Sequence, residues 1–531
     1  MLPRNDMPAS DLGSFTYVPK RICDVTRPWV ERLPNHPALV ESSGTWTYAE
    51  LEAAVETTAA WLREAGVRSG DRVVIVCENC RPFVAVLFAV AKIDAWPALV
   101  NARLSPEEVD RIREHCGARR VIYTVSASVH AMQHANRHGA AIERLGDLGR
   151  IGIGALNDMA KPEPLESDIA NNVGAMIYTS GTTSGPKGVM LTHRNLLHVA
   201  KYSSQVRSVT PDDRALGILP MSHAVGLAGV LLGNLLYGAT LFLFPRFDPV
   251  TVLRTLENDQ ITIVMGAPGM FALLVEYAKL KGAESFRFPA LRLISSSGAP
   301  LEAAVKFETE KLLGIILHNG YGVTECSPTI ALTRLESPRT DTSVGAAFPG
   351  VEIRLVDENS NQVPAGSVGE LQVRGPNVMK GYYRAPEDTA AAIDAEGWFN
   401  TRDLARLEGD HLFIVGRTKE LIVRFGFKIY PPEVEAVLNG HPAVARSAVI
   451  GHAGAGEEQE LIAFIQPAVG ASVNAKDIVH YAAQNLTRYK QPTRVIVLSE
   501  LPLTPTGKVA KEQLSKMLAR DVPAVTREKD S

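Results

Sequence analysis

The chain has 531 residues, 46% hydrophobic and 21% charged, with Gly 42 and Pro 33, so it is too long for a single hydrophobic core and too ordinary in composition for collagen, long disorder or a coiled coil. Lys+Arg 55 against Asp+Glu 58 leave a net charge of −3. With no basic block present, a nucleic-acid partner is disfavoured. The expectation is a globular protein of two or more domains, enzymatic in character.

At the N-terminus, MLPRNDMPAS is polar and broken by prolines, without the apolar core of a signal peptide. The five cysteines, Cys23, Cys77, Cys80, Cys116 and Cys326, are an odd set that reads as reduced thiols in a cytoplasmic protein. Thr47-Tyr48-Ala49-Glu50 opens a helix as a capping box, and Ser105-Pro106-Glu107-Glu108 opens another with proline at its first position. Apolar, β-branched runs predict strands at Arg72–Cys77, Arg120–Thr124, Ala175–Thr179, Thr262–Met265 and Leu291–Ser295. Helical patterns alternate with them, which is the pattern of an α/β fold with mainly parallel sheets. Cys77-Glu78-Asn79-Cys80 is a lone C-x-x-C with no second pair for zinc, so its predicted role is structural.

Val225–Phe244 carries no charge and is about long enough to span a bilayer as a helix. Its glycines, and the turn-like Tyr237-Gly238-Ala239-Thr240, instead predict a buried helix followed by a buried strand, with no membrane span. From Gly345 to Arg374 short strands and turn residues predict a small β-rich subdomain. A further change at Phe413–Pro432 introduces about a hundred residues, with strands at Ala445–Gly451 and Glu460–Gln466, that suit a small α+β domain.

The segment richest in chemistry is Tyr178-Thr179-Ser180-Gly181-Thr182-Thr183-Ser184-Gly185-Pro186-Lys187-Gly188. Glycines let the backbone approach a ligand, hydroxyls and consecutive N–H groups donate, and Lys187 adds a point charge, which are the ingredients for holding phosphate oxygens. It is not a Walker A loop, because the glycines are closer together and Gly188 stands where that motif has its magnesium-binding hydroxyl.

This loop resembles the one that marks the adenylate-forming superfamily of acyl-CoA synthetases, nonribosomal-peptide adenylation domains and luciferase. Other segments resemble the family's motifs in the right order: Pro220-Met221-Ser222-His223, Ser297-Gly298-Ala299-Pro300-Leu301, Asn319-Gly320-Tyr321-Gly322-Val323-Thr324-Glu325 and Arg374 to Tyr383. They are followed by Gly416-Arg417-Thr418-Lys419-Glu420 at the hinge motif and by Pro502 to Lys508 near the C-terminus. The segment Arg374 to Tyr383 is close to that of the CoA ligases, and the chain most resembles the acyl-CoA or aryl-CoA ligases within the superfamily.

The resemblance implies a large N-terminal ATP- and carboxylate-binding domain over residues 1–418, built of several subdomains, and a small mobile C-terminal lid over residues 419–531. It implies a ligase that joins a carboxylate to ATP, releases pyrophosphate and passes the acyl group from AMP to a thiol, with ATP, Mg²⁺ and coenzyme A as cofactor and co-substrates. Thr179, Ser180, Gly181, Thr182, Thr183 and Lys187 would hold the β- and γ-phosphates, Thr324 would touch the α-phosphate and Glu325 would hold Mg²⁺. Gly298, Ala299, Pro300, Asn319, Gly320, Tyr321 and Gly322 would line the adenine slot, and Asp403 and Arg417 would bind the ribose. Lys508 would be catalytic, bridging carboxylate and α-phosphate. His223 would gate the passage between acyl and pantetheine sites, Lys419 would be the hinge and Gly426 would line the pantetheine tunnel.

One departure is Thr401-Arg402-Asp403, where the family usually has T-G-D: if that glycine has a positive φ, Arg402 is strained. The acyl pocket is expected near His223–Leu227 and Met265–Met270, with Gly320, Val323 and Cys326–Thr329 at its floor. The absence of Phe-Asp after Pro220 disfavours an amino acid. Val225, where plant hydroxycinnamate ligases have a tyrosine, favours an aliphatic or unsubstituted aromatic acid. The expected activity is therefore an acid:CoA ligase for a hydrophobic acid, either a medium- or long-chain fatty acid or an aryl acid, working as a monomer or homodimer in the cytoplasm. The alternatives are a stand-alone adenylating enzyme that loads a carrier protein and, more distantly, a non-catalytic nucleotide-binding protein.

Overall fold

The computed structural model describes residues 17–179, 186–424, 427–453, 459–468, 470–503, 509–518 and 525–526. These fall into two compact units, one within Met1–Leu301, Val305–Glu352 and Val373–Phe399, the other within Glu302–Ala304, Ile353–Gln372 and Asn400–Ser531.

Two large sheets organise the first unit. The eight-stranded sheet runs in the order Gly381–Tyr382, Lys187–Thr192, Val173–Thr179, Trp96–Asn101, Arg72–Cys77, Arg120–Tyr123, Arg150–Ile153, Ala141–Arg144. Its middle pairings are parallel and its edges antiparallel. Arg72–Cys77 and Trp96–Asn101 are buried at every residue, because crossover helices cover both faces of a parallel sheet. One of them is Arg81–Lys92, with Pro82 in its first turn and ten successive buried residues from Pro82 to Ala91.

The nine-stranded sheet runs Ala346–Ala347, Thr329–Leu332, Leu317–Gly322, Leu293–Ser296, Ile263–Gly266, Arg214–Gly217, Thr240–Leu243, Pro37–Glu41, Gly44–Thr47, again parallel through its centre. Both predicted capping boxes form: Thr47 and Glu50 exchange backbone-to-side-chain bonds, as do Ser105 and Glu108.

The apolar run is a buried π-helix, Val225–Leu232, continued by the short helix Gly233–Leu236 and then the buried strand Thr240–Leu243. Gly238 makes the turn at φ +80°, and a Cβ there would stand 2.8 Å from the ring of Trp29, whose indole N–H donates to the Leu236 carbonyl at 2.9 Å. Among the described residues no helix is long and apolar enough to cross a membrane.

The second unit carries a four-stranded sheet ordered Glu352–Val356, Gly369–Arg374, Phe399–Glu408, His411–Arg417; the first two strands fall in the stretch predicted to be β-rich, Gly345–Arg374, and the last two come from beyond it. A second four-stranded sheet runs Val444–Ala453, Gln459–Pro467, Arg494–Val497, Val525–Thr526, with the helices Pro431–Asn439 and Ala475–Asn485 packed on a core that includes Val434, Leu438, Leu461 and Ile478. The concern over Arg402 is realised, because it sits in the left-handed region at φ +59°. Its N–H donates to Asn400 Oδ1 at 2.9 Å, a local turn bond that supports the conformation. Its guanidinium is largely exposed, 3.9 Å from Glu370.

A left-handed arginine costs about 1–2 kcal/mol, partly offset in a glycine variant by the freer unfolded chain. Arg402→Gly should therefore stabilise the protein slightly, by up to about 1 kcal/mol, measured as a higher urea midpoint at unchanged slope; a lower midpoint would mean that the side chain does more than this geometry indicates.

Candidate active site

The two ends of the predicted phosphate loop lie on a pair of antiparallel strands. Val173–Thr179 enters beside the parallel strand Trp96–Asn101 and Lys187–Thr192 returns, with Tyr178 opposite Gly188 and Thr179 opposite Lys187. Ser180, Gly181, Thr182 and Thr183 lie outside the described residues. Gly188 leaves room for the Tyr178 ring, since a Cβ there would stand 3.1 Å from Tyr178 Cζ. The Lys187 ammonium lies 2.8 Å from the Asp388 carboxylate and 5.1 Å from the centre of the Tyr382 ring.

Glu325 lies in the 3₁₀ turn Thr324–Cys326, just past the strand Leu317–Gly322. Gly322 permits that turn, because a Cβ on it would stand 1.8 Å from the Pro328 carbonyl oxygen, which accepts from Val323 N–H at 3.0 Å. The Glu325 carboxylate accepts a hydrogen bond from the Tyr382 hydroxyl at 2.9 Å. Burial, and then the neighbouring Glu325 charge, push the Tyr382 phenol well above its usual range, so it stays a neutral donor. Among the described residues no group of three or more His, Cys, Asp or Glu is placed to cage a metal. A lone carboxylate such as Glu325 would suit Mg²⁺, which keeps several waters and takes most other ligands from substrate phosphates.

Gly298, Ala299 and Pro300 follow the strand Leu293–Ser296, which runs parallel to Leu317–Gly322 with Ser296 opposite Asn319. Gly298 has φ +89° and open space where a Cβ would stand. These residues, with Gly320 and Tyr321, therefore occupy the carboxyl ends of adjacent parallel strands, where open α/β sheets take their ligands. The Asn319 amide is engaged in the fold, donating to the Thr342 and Ser343 carbonyls at 3.0 and 3.4 Å and accepting from Gly320 N–H at 3.0 Å. It braces the 342–343 loop against the strand end.

His223 heads the π-helix, its N–H donating to the Pro220 carbonyl at 3.1 Å and its carbonyl accepting from Leu227 at 2.9 Å. Gly226 must be glycine for the helix to lie on this turn, as a Cβ would come 2.1 Å from Pro220 O. The helix also meets the predicted acyl region, since the Met265 methyl lies 3.3 Å from the Cβ position of Gly229.

Sequence reasoning missed the residue that fixes this turn. Asn79, 4% exposed, donates to the Gly217 and Leu219 carbonyls at 3.1 and 2.9 Å and accepts from Met221 N–H at 2.8 Å. It sits inside the C-x-x-C, so the motif matters for what lies between its cysteines. The thiols are buried and unbonded to each other; burial raises Cys77 and pushes Cys80 up to about 12, which leaves both inert. Next to Asn79, Glu78 binds Arg103 at 2.6 Å, and Arg103 donates to the Pro245 carbonyl at 2.6 Å. A surface cleft of about 440 Å³ beside Trp61, Arg120 and Glu143 involves none of the predicted residues.

In the second unit, Asp403 and Arg417 are cross-strand partners, with Arg417 Nε donating to Asp403 Oδ1 at 2.9 Å. Asp403 is only 3% exposed, and this arginine compensates its charge. Lys419 is exposed in the turn Thr418–Glu420. Its neighbour Glu420 is held by Lys511 at 3.0 Å, and Lys511 also binds Glu435 at 2.8 Å. Burial opposes the Glu420 charge, yet Lys511 more than compensates and holds the carboxyl below its usual range. Gly426 and Lys508 lie outside the described residues.

Family comparison accounts for this arrangement. The AMP-binding enzyme family matches residues 26–383, and the AMP-binding enzyme C-terminal domain matches residues 433–508. A feruloyl-CoA synthase of Amycolatopsis sp is 35% identical over 91% of this chain and 96% of its own length. The 4-coumarate–CoA ligase 3 of Oryza sativa subsp. japonica is 30% identical over 92% of this chain and 90% of its own. Among solved structures, the o-succinylbenzoate coenzyme A synthetase MenE from Bacillus subtilis, in complex with ATP and magnesium, superposes with a TM-score of 0.79 at 28% identity, covering 92% of this chain and 99% of that one. The chain belongs to the AMP-binding enzyme family. It is an ATP-dependent acid–thiol ligase of the adenylate-forming class, with the mixed α/β architecture of that class.

Because Asn79 satisfies three buried backbone groups, Asn79→Ala should destabilise the protein by about 1–3 kcal/mol in chemical unfolding. Asn79→Asp should cost more, since a carboxylate would face two carbonyls. Equal stability of the alanine variant and the wild type would contradict the clamp.

Proposed function

We propose that this ligase activates an aryl carboxylic acid and transfers it to coenzyme A. A carboxylate oxygen attacks the α-phosphorus of ATP and pyrophosphate leaves; the CoA thiolate then attacks the acyl carbon, AMP leaves, and a thioester has formed. Carrying this reading is the 35% identity to a feruloyl-CoA synthase over nearly the whole of both chains. The 4-coumarate–CoA ligase likeness supports the same ring-bearing class. Val225, apolar at the head of the π-helix, favours a ring without a hydrogen-bonding hydroxyl at that point. The apolar helix also keeps a medium- or long-chain fatty acid as the second reading, and a carrier-protein thiol is the alternative acceptor.

In-line displacement at phosphorus is accelerated chiefly by positioning and by charge aimed at the developing negative oxygens. We assign Thr179 to Thr183 and Lys187 to the β- and γ-phosphates, Thr324 to the α-phosphate, and Glu325 to a Mg²⁺ ion that offsets phosphate charge. The loop Gly298–Pro300 with Asn319–Gly322 would frame the adenine, Asp403 and Arg417 the ribose. Lys508 would neutralise the charge that builds as carboxylate and phosphate meet. His223 would gate acyl and thiol entry, with Lys419 as hinge and Gly426 on the pantetheine path, between an N-terminal domain of residues 1–418 and a lid of residues 419–531. Five buried thiols, none in a disulfide, support a cytoplasmic setting.

The test is acid-dependent exchange of labelled pyrophosphate into ATP across benzoic, cinnamic, hydroxycinnamic and fatty acids, followed by discharge with CoA or a carrier protein. Cinnamic- or benzoic-type acids should support the fastest exchange, and CoA should discharge the adenylate; exchange confined to fatty acids would overturn the aryl reading. Lys508→Ala should abolish exchange while sparing thioester formation from supplied acyl-adenylate, and equal loss of both steps would remove Lys508 from the role given it.

A further inference from the structure

The segment Arg374 to Tyr383 matches the family by sequence, yet nothing in the roles above uses its tyrosines. The structure brings Tyr382 between the two charged residues on which the nucleotide reading rests. Its hydroxyl donates to Glu325 Oε1 at 2.9 Å, and the face of its ring carries the Lys187 ammonium 5.1 Å from its centre. We propose that Tyr382 is a positioning residue of the nucleotide site, fixing the metal-binding carboxylate through its hydroxyl and the phosphate-binding ammonium through its ring. The inference rests on the roles proposed for Glu325 and Lys187 and adds the side chain that sets them relative to each other.

Tyr382 is itself held from both sides. Its strand pairs with Lys187–Thr192, Tyr382 opposite Val189 and Gly381 opposite Met190. Thr389 Oγ1 accepts from Tyr382 N–H at 2.9 Å and donates to the Ala385 carbonyl at 2.9 Å. Gly381, at φ +143°, has no room for a Cβ, which would stand 2.8 Å from Thr389 Cγ2. A side chain on so constrained a backbone can set the position of whatever it touches.

The chemistry of the two contacts differs in a useful way. A phenol is neutral, so it orients the Glu325 carboxylate without cancelling the charge a divalent cation needs. The aromatic face attracts the lysine ammonium while leaving its N–H groups to donate elsewhere. Asp388, on the helix Pro386–Ala392, completes the hold on Lys187. It is a single, half-exposed carboxylate, a counter-ion that a polyphosphate can displace.

The variants Tyr382→Phe and Tyr382→Leu separate the contacts. Tyr382→Phe keeps the ring and loses only the hydroxyl. It should melt at the wild-type temperature, bind ATP without metal as the wild type does, and need roughly tenfold more Mg²⁺ for half-maximal tightening of ATP binding, about what one hydrogen bond to a charged group contributes. The KM for the acid should not move. Tyr382→Leu should in addition weaken metal-free ATP binding, because Lys187 loses its platform. Equilibrium binding of a fluorescent ATP analogue during a Mg²⁺ titration reads all of this without turnover. If the wild type binds the analogue with a Mg²⁺ dependence that Tyr382→Phe leaves unchanged, the inference is overturned and the site reading survives. If the wild type shows no Mg²⁺-dependent binding, the site reading fails and the inference with it.

Discussion

The arrangement of the first unit depends on a backbone staple. Met379 N–H donates to the Glu325 carbonyl at 2.8 Å, Lys380 N–H to the Met190 carbonyl at 2.9 Å and Tyr383 N–H to the Gly188 carbonyl at 2.8 Å. One short stretch thus ties the turn beyond the nine-stranded sheet to the antiparallel strands at the edge of the eight-stranded one. Further bonds hold the approach to it: Asn195 donates to the Pro376 and Val378 carbonyls at 2.7 and 2.9 Å, and Asn377 donates to the Thr329 carbonyl at 2.8 Å. Such bonds are worth little singly, but each would leave a buried polar group unpaired if broken. Their joint effect is that Glu325 and Lys187, 138 positions apart in sequence, cannot drift independently.

That constraint suits the chemistry. A site for a triphosphate must place positive charge against several oxygens without first rearranging, because reorganisation during the reaction adds to the barrier. Lys187 rests on a weak counter-ion and an aromatic face, while Glu325 is turned by a neutral phenol. Both charges are therefore oriented by one neutral side chain, Tyr382. Where a charge is instead buried deeply, as at Asp403, a full ionic partner accompanies it in Arg417, since an uncompensated buried carboxylate would be costly.

Much of this was legible in the sequence where local pattern determines structure. The Arg72–Cys77 strand, the capping boxes at Thr47 and Ser105, and the helix–turn–strand within Val225–Phe244 follow from periodicity and capping chemistry. The Thr-Arg-Asp departure marked Arg402 as strained if its φ were positive, since glycine is the residue at ease there, and its φ is +59°. What the sequence did not reveal were contacts between distant segments. Asn79 looks like filler between two cysteines, and its task becomes visible only when the fold brings Gly217, Leu219 and Met221 to it. Tyr382 falls in a family-like segment, yet nothing local marks it as the partner of Glu325, or Asp388 as the partner of Lys187. The lone C-x-x-C shows the same limit from the other side, because its eye-catching thiols are inert core residues.

The central claim is that a carboxylate oxygen attacks the α-phosphorus of ATP, and isotope transfer tests it most directly. The acid is labelled with ¹⁸O in its carboxylate, turned over with ATP and CoA, and the products are analysed by mass spectrometry. The account predicts one ¹⁸O atom in AMP and none in pyrophosphate. Label recovered in inorganic phosphate, with ADP as the nucleotide product, would contradict it, because the acid would then have been activated by attack at the γ-phosphorus.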